Sequence, residues 1–123
     1  MYEQQLARAI QLRNEEKKKE SNHLLLKMVE QYPNDAFIGL GSTYRTLGQY
    51  KKAQSTFLKG IDLFPTNKAL QVFYAMTLYN LDEHSKAMEL LLECLLHTTR
   101  DAEILSYKNA IHFYAHQLDK VWQ

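Results

Sequence analysis

The sequence predicts an all-α fold, a solenoid of stacked helix pairs, and three observations carry that prediction. The first is internal repetition. The stretch from Phe37 to Ala53, followed by Phe57 and Gly60, matches the chain again at a spacing of 34 residues, placing Tyr44 on Leu78, Leu47 on Leu81, Ala53 on Ala87, Phe57 on Leu91 and Gly60 on Cys94. A period of this length marks helix pairs that bury their apolar faces only against their neighbours. The second is composition. The chain has 123 residues, 46% of them hydrophobic, with only 4 Gly and 2 Pro. Its Leu, Ala, Lys, Glu and Gln favour helix over sheet. The third is the set of small residues Gly41, Ala53, Gly60, Ala75 and Ala87. Two helices approach closely only where side chains are short.

Seven helices account for nearly every residue. The first runs from about Glu3 to Arg13, with Leu6, Ala9 and Ile10 inward. The second carries Leu24, Leu25, Met28, Val29 and Tyr32 and is ended by Pro33. Asn34 or Asp35 caps the third, whose inward stripe is Phe37, Leu40, Gly41, Tyr44 and Leu47, and Gly48 closes it in a left-handed conformation. The fourth buries Ala53, Phe57, Gly60, Ile61 and Phe64 and stops at Pro65. Thr66 or Asn67 caps the fifth, which turns Leu70, Tyr74, Thr77, Leu78 and Leu81 inward. Asp82 or Ser85 begins the sixth, with Ala87, Leu91, Cys94 and Leu95 on its apolar face. A turn and cap at residues 98–101 lead into the seventh, which buries Ile104 or Leu105, then Ile111, Ala115 and Leu118.

The pattern Leu40-Gly41-x-x-Tyr44, then Leu47-Gly48-x-Tyr50-x-x-Ala53-x-x-x-Phe57, then Pro65, resembles the tetratricopeptide repeat. Residues 68–101 follow it more loosely, with Thr99 where proline is expected, and residues 2–33 follow it in outline, ending in Tyr32-Pro33. The resemblance implies a right-handed α-solenoid forming a single domain over residues 1–123. It would hold about three helix-turn-helix repeats (2–33, 34–67 and 68–101) and a capping helix over 102–118.

The resemblance also implies a function. Such arrays bind a peptide or helix of a partner protein in a concave groove lined by the first helix of each pair. In this register the groove takes Ile38, Ser42, Arg45 and Thr46 from one repeat and Val72, Phe73, Met76, Tyr79 and Asn80 from the next. The last helix adds Ser106, Tyr107, Ala110, Phe113 and Tyr114. The expected anchors are Phe73, Met76, Tyr79 and Tyr107, with Arg45 and Asn80 giving polar orientation. The Lys and Asn positions with which related domains clamp a C-terminal carboxylate hold Leu6, Ile10, Ile38, Ser42, Val72 and Met76 here, so that mode is not expected. The alternative is a homodimeric scaffold, with Trp122 packing on its own chain or on a second copy.

Other classes find little support in the sequence. A net charge of +1, spread along the chain, gives no footprint for nucleic acid. The N-terminus reads as no secretion signal, and no apolar run is long enough to span a bilayer, so a soluble cytoplasmic protein is expected. The single Cys94 allows no internal disulfide and reads as a buried, inert thiol. His112 and His116 are spaced to share a metal, but no third ligand lies at an obvious position, so no metal and no cofactor are expected. No catalytic constellation is visible, and the chain is read as non-enzymatic.

Overall fold

The computed structural model describes residues 33–122; the expected repeat over residues 2–33 and its two helices lie outside them. Among the described residues six helices follow one another: α1 (Pro33–Thr46), α2 (Tyr50–Leu63), α3 (Lys68–Asn80), α4 (His84–Thr98), α5 (Ala102–Ser106) and α6 (Lys108–Ala115). No strand occurs among the described residues. Each of α1 to α3 packs on the next, α3 packs back on α1 as well, and α6 packs on α4 and on α5. The architecture is an all-α helical-repeat solenoid.

The core of the first pair is built from Phe37, Ala53, Phe57 and Leu70, with Ile38, Tyr44, Ile61, Phe64, Phe73 and Tyr74 packed around it. Short residues let the helices meet. A Cβ added at Gly60 would lie 3.0 Å from Phe37 Cβ and 3.2 Å from Leu70 Cδ2, so α2 touches α1 and α3 at one point. Thr43 and Thr77, one period apart, are both buried, and each hydroxyl donates to a carbonyl of its own helix, Gly39 O at 2.8 Å and Phe73 O at 3.2 Å. That bond satisfies a hydroxyl that would be costly to bury alone.

The turn inside each pair is also repeated. Gly48 sits at φ 77° with its N–H donating to Arg45 O, while Gln49 N–H donates to Tyr44 O. One period on, Asp82 sits at φ 61°, its N–H donates to Tyr79 O, and Glu83 N–H donates to Leu78 O. Both are helix C-terminal motifs closed by a left-handed residue. Asp82 therefore ends α3 instead of beginning α4, whose N-cap is Glu83. Aspartate is among the few non-glycine residues that tolerate this conformation.

Other helix ends agree with the sequence or depart from it for local reasons. Asn67 caps α3, accepting from Leu70 N–H at 3.2 Å. Pro33 is the first residue of α1, a place where proline loses no helical hydrogen bond. At the expected proline, Thr99 ends α4 with extended backbone, its hydroxyl accepts from Asp101 N–H, and Asp101 caps α5 by accepting from Ile104 N–H.

The cap departs most from expectation. In place of one helix over 102–118 there are two, broken at Tyr107, and the second ends at Ala115. At the break Ser106 Oγ donates to Glu103 O at 2.6 Å, and Tyr107 N–H bonds to Ile104 O, the tighter step of a 3₁₀ turn. Ala115 is buried and Ile104 and Ile111 are half-buried, whereas Leu105 and Leu118 are exposed.

Candidate functional site

The break at Tyr107 decides where apolar surface is left open. Tyr107 stands one period after Phe73. In the first pair, Phe73 reaches over from α3 and its ring stacks on Phe57, with centroids 6.3 Å apart, leaving Phe57 0% exposed. In the second pair Leu91 holds the place of Phe57. Tyr107, on the broken cap, is 61% exposed, and Leu91 is left 37% exposed. Beside Leu91 a cleft of about 430 Å³ remains open.

Its walls come from three helices. Arg45 at the end of α1 forms one edge; Ala75, Met76, Tyr79 and Asn80 come from α3; His84, Ala87, Met88 and Leu91 come from α4. Arg45 Nη1 donates to Asn80 Oδ1 at 3.4 Å, and its Nε is buried without a hydrogen-bond partner among the described residues. Tyr79 is 63% exposed and its ring lies 4.8 Å from that of His84. The surface is thus a thioether- and aromatic-lined slot with a guanidinium at one side. Methionine side chains suit adaptable apolar contact.

Four of the six expected groove residues, Arg45, Met76, Tyr79 and Asn80, lie together on this cleft. Phe73 is placed in the core instead, half-buried against Phe57, because it fills the joint between the two pairs. Tyr107 lines a separate shallow surface with Leu92, Ile104, Ile111 and Tyr114. Of α4's expected apolar face, Leu91 and Leu95 are exposed, and Leu96 is buried. His84, Met88 and Leu91 belong to the cleft but were not expected there. The spacing of four from His84 to Met88, continued by Leu91, is the signal that one face of α4 follows the cleft.

Cys94 is buried, and its thiol donates to Gln71 Oε1 at 3.2 Å. Burial pushes the thiol up from its ordinary value. That leaves less thiolate at neutral pH, and the thiolate is the reactive form.

At the other side of α4 the fold supplies what the sequence spacing did not show. Glu93 stands against both His112 and His116. Burial pushes the Glu93 carboxyl up, but the His112 hydrogen bond and the charges of His112 and His116 outweigh it and hold it below the usual carboxylate value of 4.5. Its contribution to stability is therefore present above that value and is lost as pH falls through the lower folded one.

The chain matches the family model described as tetratricopeptide repeat over residues 35–67. The chain contains a tetratricopeptide repeat. Those residues span α1, α2 and the turn into α3, where the Gly48 turn, the Gly60 crossing and the buried Phe57 were found. No curated protein matches the chain significantly. Tetratricopeptide repeats mediate protein–protein interaction, generally without enzymatic activity. Among the described residues, no helix is long and apolar enough to cross a membrane.

Proposed function

We propose that this tetratricopeptide-repeat domain is an adaptor that binds a helix of a partner protein in the cleft between α3 and α4. The observation that supports this most is the open apolar cleft. Leu91, Met88, Met76 and Ala75 line it between α3 and α4. An amphipathic helix would lay its apolar face there, in the helix-in-groove mode. Arg45 would meet an acidic residue at the helix edge, and Tyr79 is the aromatic anchor.

Panning a random peptide library against the full chain tests this. Enriched peptides should be amphipathic, with an acidic position beside the apolar face. Tyr79→Ala should weaken them by about tenfold or more, the effect of removing an anchor worth over 1 kcal/mol. Peptides that bind Tyr79→Ala and Met76→Asp as well as they bind the wild type would refute the assignment.

A second reading, self-association, is favoured by a different surface. Trp122 packs on its own chain, 5.8 Å from the Phe113 ring and 6.3 Å from that of Tyr114, yet all three rings stay exposed beside Val121. Aromatic clusters of this kind are enriched at subunit contacts. Light scattering at high micromolar concentration should then show a dimer that Trp122→Ala dissociates. A strict monomer removes this reading and leaves the adaptor standing.

A further inference from the structure

The face of α4 opposite the cleft carries a second arrangement. Glu89 and Glu93 are four residues apart on α4, and His112 and His116 are four residues apart on α6, so each pair projects from one face of its helix. Packing of α6 on α4 sets the two pairs against each other. His112 Nδ1 lies 2.6 Å from Glu93 Oε1, and His116 Nε2 lies 3.3 Å from the same oxygen. His116 Nδ1 lies 2.8 Å from Glu89 Oε1. The two imidazole centroids are 4.9 Å apart, one ring edge-on to the other. Ligand atoms of Glu93, His112 and His116 all fall within 4.8 Å of one another.

We infer that Glu93, His112 and His116 bind a zinc-class divalent cation between α4 and α6. A tetrahedral zinc ion with bonds of roughly 2.0–2.1 Å holds its ligand atoms roughly 3.4 Å apart, so small side-chain rotations suffice to admit it. Two imidazole nitrogens and one carboxylate oxygen are a recognised donor set for such an ion, and imidazole selects for it over magnesium or calcium. Glu89 supplies the outer partner. With His116 Nε2 on the metal, its Nδ1–H donates to Glu89, which fixes the tautomer and ring orientation as the outer carboxylates of metal sites do. An ion pair alone does not require that second carboxylate, nor both nitrogens of one imidazole to be engaged by different acids.

The fourth position faces solvent, since His112 and His116 are exposed. It is free for water or for a side chain of a bound protein. The bound ion would fasten the broken cap to the repeat, because its ligands come from both elements. The site depends on neither the cleft nor a partner, so it stands or falls apart from the adaptor reading.

Titration of the chelator-stripped full chain with zinc chloride, against a chromophoric competitor, tests it. One zinc per chain is expected, with micromolar or tighter affinity. Cobalt in its place should give the intense visible bands of a tetrahedral site. Glu89→Gln should weaken zinc about 10–100-fold, the usual effect of losing an outer-shell partner. The His112→Ala/His116→Ala variant should lose binding. Glu93→Gln keeps size and hydrogen-bonding capacity and so keeps the fold; it should weaken zinc at least as much as Glu89→Gln. No zinc binding by the wild type, or equal binding by the wild type and Glu93→Gln, overturns the proposal.

Discussion

Replacing Phe57 by alanine is expected to be the most damaging truncation among the described residues, at about 3–5 kcal/mol. The ring is 0% exposed and is enclosed by Gly41 on one side and Phe73 on the other. Helices on both flanks prevent collapse of the void, so the cavity adds to the lost burial. Native domains are stable by only about 5–15 kcal/mol, and the loss takes a large share of that. In a solenoid it also uncouples the units it joins. Leu91 is the informative comparison, because it holds the same place one period later. Partly exposed to the open cleft, it should cost only about 1–2 kcal/mol as alanine, below the range for fully buried leucine. Denaturant unfolding checks both. Equal losses would mean that Leu91 is as enclosed as Phe57 and that no cleft exists.

Gly41→Ala is the second large effect, and it sets two terms against each other. Alanine in mid-helix gains about 1 kcal/mol over glycine. The new Cβ, however, would lie 2.5 Å from Phe57 Cζ and 2.6 Å from Cε1, well inside contact distance. Phe57 cannot turn away, being stacked on Phe73, so α1 and α2 must separate. Overpacking of this kind typically costs about 1–3 kcal/mol, and so tight a contact belongs at the upper end, for a net loss of about 1–2 kcal/mol. The same change at exposed Ser55 should stay within about 0.5 kcal/mol. Adding Phe57→Leu to Gly41→Ala should make the pair less costly than the sum of the singles, since the clash disappears with the ring. Strict additivity would place the strain elsewhere.

The middle repeat was legible because its punctuation is chemical: Gly48 for the left-handed turn, Gly60 for the crossing, Asn67 for the cap. The second repeat was less so. Asp82 makes the same turn as Gly48 without announcing it, and Thr99 ends a helix where proline was expected. The cap was misread because apolar periodicity runs on through Tyr107, where the backbone tightens into a turn and one helix becomes two. Four of the residues expected from register, Arg45, Met76, Tyr79 and Asn80, line one cleft. Phe73 does not, since a residue on the inner helix can face either the groove or the joint between repeats. Glu93 was missed because its histidine partners follow 19 or more residues later, across a helix contact; the two glutamates and two histidines at matched spacing were the available signal.

The most direct test of the adaptor reading uses the four methionines of the chain, Met1, Met28, Met76 and Met88. With their methyl groups labelled with carbon-13 and assigned by Met→Leu substitution, a library-selected helical peptide should shift the Met76 and Met88 signals at saturation. A peptide that binds while Met76 and Met88 stay unshifted would contradict the cleft as the binding site.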